Sequence, residues 1–235
     1  MAKKTYRPLE NGLYVLDTGY KGITVGNAAE VLDAIEQQLD RIRHGDYNRS
    51  ERTSYVTASH GKKASDAVYQ ARKNGKNFRR EEWICKRTCD RSLTFDTVGK
   101  IVDYQVPLKH KRDETTDGLG KIDLLAQNET VAYMLELKAP TGTEHPLKAV
   151  MEIYTYWKQL HDGDGIHKPF LTQSALSGNV TELRPAIVLY EESPVYRRLE
   201  AEKDRMKALM DALGVTCFLA ENSDDDVIVK LKAWT

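Results

Sequence analysis

Apolar positions along this chain fall into two rhythms. A recurrence at three and four residues marks NAAEVLDAIEQQLDRIRH (27–44), where Val31, Leu32, Ile35, Leu39 and Ile42 share one stripe and predict an amphipathic helix. The same rhythm predicts helices over 78–92 (FRREEWICKRTCDRS) and over PLKAVMEIYTYWKQL (146–160). In the latter, Leu147, Val150, Tyr154, Trp157 and Leu160 form the apolar stripe, Lys148, Glu152, Thr155 and Gln159 the polar face, and Pro146 suits the first helical position. A fourth helix is punctuated by Ser193 at its N-cap, Pro194 in its first turn and Gly214 just past its end. Shorter apolar runs predict strands at KIVDYQVPL, ending at Pro107, and at KIDLLAQ (121–127), VAYMLEL (131–137), AIVLY (186–190), VTCFL (215–219) and VIVKL (227–231). GLYVLDTGYKGITV (12–25) reads as a short hairpin around Gly19 and Gly22.

From residue 100 the order is βββαβαββ, an α/β arrangement with helices on the faces of a mixed central sheet. Residues 1–95 read as an N-terminal helical extension, partly basic, and 96–235 as the core domain. There is no internal repeat.

Composition narrows the class. With 40% hydrophobic and 30% charged residues this is an ordinary globular chain. It has no apolar run of membrane-spanning length, and MAKKTYRPLE carries no apolar signal region, so a cytoplasmic protein is expected, with no membrane partner. Three cysteines do not suggest a disulfide framework. Cys85 and Cys89, four apart with no His or third Cys close in sequence, read as buried thiols, since a zinc or iron–sulfur site needs about four ligands. The net charge is zero, yet residues 41–112 hold 18 basic against 8 acidic side chains, a local +10. Such a segment suits an anionic partner or a solvated surface equally well. Within it Lys109, Lys111 and Arg112 are candidate contacts to a nucleic-acid backbone, or simply a solvated turn. The Asp224–Asp226 run reads as a charged turn between two strands.

The informative stretch is GKIDLLAQNETVAYMLELKAP (120–140), which places Asp123, Glu136 and Lys138 inside strand-like segments. In an antiparallel hairpin turning around Glu129 and Thr130, Asp123 falls opposite Glu136 and Leu124 opposite Leu135, with Ala126 facing Tyr133 and Ile122 facing Leu137. One face becomes a continuous apolar layer, and the other presents Asp123, Glu136 and Lys138 together. Two facing carboxylates repel, and a divalent cation is the usual remedy; Mg²⁺ takes oxygen ligands and is held by one or two carboxylates plus substrate phosphate. The plainer reading is a surface salt bridge from Lys138 to Asp123.

GKID (120–123), LELKAP (135–140), the preceding VDYQVPLK (102–109) and the helix that follows resemble the PD-(D/E)xK nuclease superfamily, with its restriction-endonuclease-like fold. The resemblance covers about residues 100–190. It implies a divalent-metal-dependent nuclease that hydrolyses phosphodiester bonds, DNA being favoured, with Mg²⁺ or Mn²⁺ as cofactor. Asp123 and Glu136 would be metal ligands along with the main-chain carbonyl of Leu137, and Lys138 would be the motif lysine; Asp123, Glu136 and Lys138 would carry catalysis. Ile122 stands where the motif's name has Pro. A further glutamate often comes from the helix before the first core strand, for which Glu36, Glu81 and Glu82 are candidates. Glu152 and Tyr156 occupy a spacing where some members have Gln and Tyr, although helix packing is the simpler role for Tyr156. The resemblance leaves open a homodimer or a place in a larger defence or repair complex. The rival from another class is a non-cleaving nucleic-acid-binding or assembly module that keeps the fold.

Overall fold

The computed structural model describes residues 19–44, 54–55, 79–109, 120–162, 165–166 and 168–235. In chain order these form α1 (Ala28–Gln37), α2 (Leu39–His44), β1 (Ser54–Tyr55), α3 (Arg80–Asp90), β2 (Thr94–Phe95), β3 (Gly99–Lys109), β4 (Lys121–Asn128) and β5 (Val131–Leu137). There follow α4 (Pro146–Leu160), β6 (His161–Asp162), β7 (Gly165–Ile166), α5 (Lys168–Gln173), β8 (Glu182–Tyr190), α6 (Pro194–Ala201), α7 (Lys203–Leu213), β9 (Thr216–Asn222) and β10 (Ile228–Ala233). The main sheet runs β1-β3-β4-β5-β8-β9-β10, with β2 also paired to β3. β3, β4 and β5 pair antiparallel, β5–β8 and β8–β9 pair parallel, and β10 returns antiparallel to β9. The protein is thus α/β, a mixed sheet flanked by helices. Among the described residues no helix is long and apolar enough to cross a membrane.

Helices cover both faces of the sheet. Leu125, Ala132, Met134, Ile187 and Leu189 pack with α1, α4, α6 and α7 on one side. Leu124, Ala126, Leu135, Leu137, Ala186 and Val188 pack on the other with Ile84 and Cys85 of α3. Strands buried on both faces carry near-continuous apolar runs, which explains why VAYMLEL shows so little alternation. Tyr20, Leu32, Ile35 and Ile42, all before residue 96, belong to the first of these clusters.

Several elements depart from the expectation. Gly19–Gly22 form a 3-10 turn rather than part of a hairpin, because the Tyr20 ring is drawn into the core edge-on to Tyr156; residues 12–18 lie outside the described set. The 27–44 helix breaks at Gln38, where φ is −119° and ψ is 16°. The helix expected between Ser193 and Gly214 likewise breaks at Glu202, although its ends stand: Ser193 Oγ accepts from Tyr196 N at 3.1 Å, and Gly214 takes the left-handed conformation at φ 68°. β3 passes through Pro107 instead of ending there. Leu108 N donates to Gly120 O at 3.2 Å, so the imide nitrogen of Pro107, one residue earlier, points away from β4 and towards the edge of β3 where the two-residue β1 pairs with Leu108 and Lys109. The polar face assigned to the 146–160 helix is not solvated, since Thr155 and Gln159 are buried. Thr155 Oγ1 donates to Met151 O within the helix at 2.6 Å.

α4 is the helix that frames the site, and His145 caps it. Its Nδ1 accepts from Leu147 N at 3.2 Å, a role open only to an imidazole unprotonated at Nδ1, while Nε2 lies 3.3 Å from Glu202 Oε1. Burial lowers the His145 pKa below the ordinary histidine value, with Glu202 acting in the opposite direction. A depressed folded-state pKa contributes stability above the unfolded value of about 6.5 that is lost as pH falls through the folded value. Thermal unfolding of the wild type should therefore weaken from pH 7 to pH 5 more than that of His145→Asn, which keeps a neutral cap. Parallel pH profiles for the two proteins would contradict this role.

Candidate functional site

The β4–β5 ladder has the register that the sequence implies: Leu124 pairs Leu135, Leu125 pairs Met134 and Ala126 pairs Tyr133, with Glu129 and Thr130 forming the loop. Glu129 takes the left-handed conformation at φ 53°. The recorded pairing stops at Leu124–Leu135, one step short of Asp123 and Glu136. There the Asp123 side chain takes over: its Oδ2 accepts from Leu137 N at 2.9 Å, a backbone donor freed where the two strands part. On the other edge, Lys138 N continues the parallel pairing by donating to Val188 O at 3.0 Å. The second Asp123 oxygen, Oδ1, accepts from the Gln105 amide at 2.6 Å. Gln105 sits in β3 at φ 49°, between Tyr104 (opposite Leu124) and Val106 (opposite Ile122). Sequence reasoning missed Gln105; its position between those two paired residues is the signal that could have found it.

The structure brings Asp123, Glu136 and Lys138 together, but their surroundings differ from the expectation in two ways. The face they share is not a polar one. Leu125, Ala132 and Met134 occupy it further along the hairpin beneath α4, so the acids end an apolar face. Ile122 also leaves the expected Leu124–Leu135 layer and belongs to the same buried cluster as Val106 and Leu108. The three charged residues are consequently buried, at 9%, 4% and 5% exposure, rather than displayed on a half-exposed sheet. Lys138 does form a salt bridge, but to Glu136 (Nζ–Oε1 2.7 Å), Glu144 (3.2 Å) and Glu152 (3.6 Å), not to Asp123.

These groups lie on the floor of a cleft of about 620 Å³ at the C-terminal end of β5. α/β sheets commonly bind ligands at the carboxyl ends of their parallel strands, where connections diverge. The helix α4 supplies Glu152 and Tyr156 to the wall, and α3 supplies Glu81 and Glu82. Glu81 Oε1 accepts from Ala139 N at 2.9 Å, which ties α3 to the chain just beyond Lys138. Glu82 faces the same cleft, whereas Glu36 is removed from it, bound to Arg205 at 2.7 and 3.0 Å. Tyr156 OH donates to Glu152 Oε1 at 2.9 Å and lies 3.0 Å from Tyr20 OH, so this tyrosine both packs and orients a wall carboxylate.

Among the remaining candidates, Lys109 closes β3 opposite Ser54, and Lys111 and Arg112 lie outside the described residues. Cys85 is a buried thiol and Cys89 a partly buried one, both pushed up chiefly by burial, Cys89 to about 11. The Asp224–Asp226 turn proves to be an anchor for α3. Asp226, 2% exposed, accepts from Arg80 Nη2 at 2.8 Å and Nε at 3.2 Å. Asp225 accepts from Arg87 at 2.7 Å and Arg91 at 3.2 Å, and Ile228 N donates to Thr88 Oγ1 at 3.0 Å. The far turn of the sheet thereby fixes the helix that carries Glu81.

The electrostatics show too much negative charge for the cations nearby. Burial raises the pKa of Asp123, with Lys138 and the Leu137 amide opposing and Glu81 and Glu152 reinforcing. Burial also raises Glu136 well above the usual carboxylate range, with Asp123 and Glu152 adding to the effect. For Lys138 burial acts downward, but Glu136, Glu152 and Glu144 more than offset it and hold the ammonium charged. Among the described residues no group of three or more His, Cys, Asp or Glu side chains forms a ready metal cage. The carboxylates on the cleft floor that could hold a cation are Asp123 and Glu136. Oxygen donors carrying excess negative charge fit a hard divalent cation that retains several waters. Comparison of the chain with known protein families, curated proteins and solved structures found no match.

Gly120, the first residue of GKID, shows how tight the wall is. At φ 114° it adopts a conformation that side chains rarely take, and a Cβ there would lie 1.9 Å from Tyr156 OH. Gly120→Ala should lower stability by about 2 kcal/mol in denaturant unfolding and displace Tyr156 from Glu152. Asp226→Ala leaves Arg80 without its partner and should cost about 1–2 kcal/mol, discounted because Arg80 is a third exposed. Wild-type stability in either variant would contradict the packing described.

Proposed function

We propose that this chain is a divalent-metal-dependent nuclease of the PD-(D/E)xK superfamily, with the restriction-endonuclease-like fold, hydrolysing phosphodiester bonds with DNA as the favoured substrate. The observation that carries this reading is the parting of β4 and β5. It fixes Asp123 on the Leu137 amide and sets Glu136 and Lys138 beside it on a cleft floor. The βββ order, the parallel β5–β8 crossover through α4 and the inward-facing Glu81 support the same reading.

Asp123, Glu136 and the Leu137 carbonyl would hold Mg²⁺ or Mn²⁺, which when bound lowers the pKa of a coordinated water and offsets charge on a phosphoryl oxygen. The residues of the chain do the positioning. Gln105 and the Leu137 amide each hold one oxygen of Asp123, so the carboxylate cannot rotate away from the floor. Lys138, kept charged by its carboxylate neighbours, can orient an attacking water and donate to the pentavalent phosphate as negative charge develops on it. Tyr156 keeps Glu152 against Lys138 and so limits the freedom of the ammonium. Low exposure excludes bulk water around these groups, which strengthens each interaction.

The test is incubation of purified protein with linear, circular and single-stranded DNA and with RNA, in Mg²⁺, Mn²⁺ or EDTA. Cleavage should require the metal, and Asp123→Asn and Lys138→Ala should each lower it by at least ~10²-fold. Because both side chains are buried, thermal unfolding must accompany the assay to separate lost chemistry from lost fold. Undiminished cleavage in a folded variant would remove the mechanism. Binding without cleavage under every condition would favour the non-cleaving module.

A further inference from the structure

Among the described residues six cations line the cleft: Lys21, Arg79, Arg80, Lys121, Lys138 and Lys148. Most are already committed. Lys138 serves three carboxylates, Arg80 is bound to Asp226, Lys148 is paired to Glu144, and Lys21 lies over the Tyr20 ring with its ammonium 5.7 Å from the centroid. The remaining two differ. The Lys121 side chain is exposed and has no hydrogen-bond or ion-pair partner among the described residues. The Arg79 side chain is 83% exposed, and its contact with Glu82 is a 3.9 Å surface pair of the kind worth little in water.

The two sit on different walls, each two residues before an acid of the cleft. Lys121 and Asp123 both line the cleft from β4, two residues and about 6.8 Å apart along the strand, Lys121 lying towards its start. That is comparable to the spacing of successive phosphates along a nucleic-acid strand. Arg79 is the N-cap of α3, two residues before Glu81, and makes no side-chain capping bond. Among the described residues that line the cleft, the one side-chain amide, Gln105, is held by Asp123.

We infer that Lys121 and Arg79 are a phosphate seat: they grip the sugar–phosphate backbone on the two sides of the bond presented to Asp123, Glu136 and Lys138. The ligand class is a phosphodiester strand, read through its charge and not through its bases. This inference rests on the nuclease reading for the identity of the bond that lies between the two grips. The arrangement also resolves a conflict in the cleft, whose acidic floor repels a polyanion and needs cations at the mouth to hold one there.

The experiment uses the full chain, with Lys121→Ala, Arg79→Ala, the double variant and Lys230→Ala as control. Lys230 is an exposed cation paired with Glu221 and does not line the cleft. Fluorescein-labelled DNA oligonucleotides of two unrelated sequences are titrated by anisotropy in EDTA across a salt series, and cleavage kinetics are followed in Mg²⁺. Each single variant should weaken binding on the order of fivefold, equally for both sequences. The salt slope should fall by roughly 0.7 to 0.9 per cation removed. In cleavage, KM should rise while kcat holds, and Lys230→Ala should match the wild type. Unchanged binding and an unchanged salt slope in the double variant, with a wild type that cleaves, overturns the seat and leaves the nuclease reading standing. Loss confined to one sequence also overturns it, because the contact would then be with bases. A wild type that never cleaves, but whose binding and salt slope fall as stated in the variants, supports the seat and removes the nuclease reading. A wild type that binds neither oligonucleotide overturns both.

Discussion

One hydrogen bond organises the centre of this protein: the Leu137 amide donates to Asp123 Oδ2 where the β4–β5 ladder gives way. A backbone donor buried at 0% exposure must find an acceptor, and the neighbouring strand no longer supplies one. A carboxylate in that place satisfies the donor and becomes fixed by it. Glu136 and Lys138 flank Leu137 in sequence, so the same bond determines where they lie. β8 holds the other edge of the strand through Lys138 N and Val188 O, which keeps the gap on the β4 side alone.

The rest of the fold keeps that gap in shape. α4 covers the apolar part of the face and ends it with Glu152 and Tyr156, while Tyr20 and Gly120 close in around the tyrosine ring. α3 approaches from the opposite side of the sheet, anchored at Arg80, Arg87 and Arg91 by the β9–β10 turn and latched at Glu81 to Ala139. Elements separated by more than a hundred residues thereby converge on a few charged side chains. Burying so many charges is costly unless each is paired or neutralised, and Lys138 alone cannot neutralise the floor. The fold tolerates this imbalance in one location, and such locations are where binding and chemistry concentrate.

Much of this was legible in the sequence. The odd separation of Asp123 and Glu136, together with the matching Leu124 and Leu135, suffices for the hairpin register, because a slip of one residue would turn Asp123 and Glu136 to opposite faces. Pro146, Ser193, Pro194 and Gly214 mark helix ends by local backbone chemistry, and each stands where its geometry requires. What failed depends on tertiary contact. A two-sided buried sheet and a half-exposed one look alike over seven residues, so the acids seemed to lie on an open face. The helix breaks at Gln38 and Glu202 have no proline or glycine to announce them. Glu81 could not be told from Glu36 and Glu82, since only folding pairs Glu36 with Arg205 and brings Glu81 to Ala139. Gln105 looked like one polar residue in a strand until β4 was laid beside it.

Whether the parted strands form the proposed seat for a hard divalent ion is tested by calorimetric titration with Mn²⁺, without any assumption about the substrate. A saturable site is expected in the wild-type chain that disappears in a folded Asp123→Asn variant and persists in Glu36→Gln, whose carboxylate is bound to Arg205. Equal Mn²⁺ binding by the wild type and Asp123→Asn, or none by either, would contradict it.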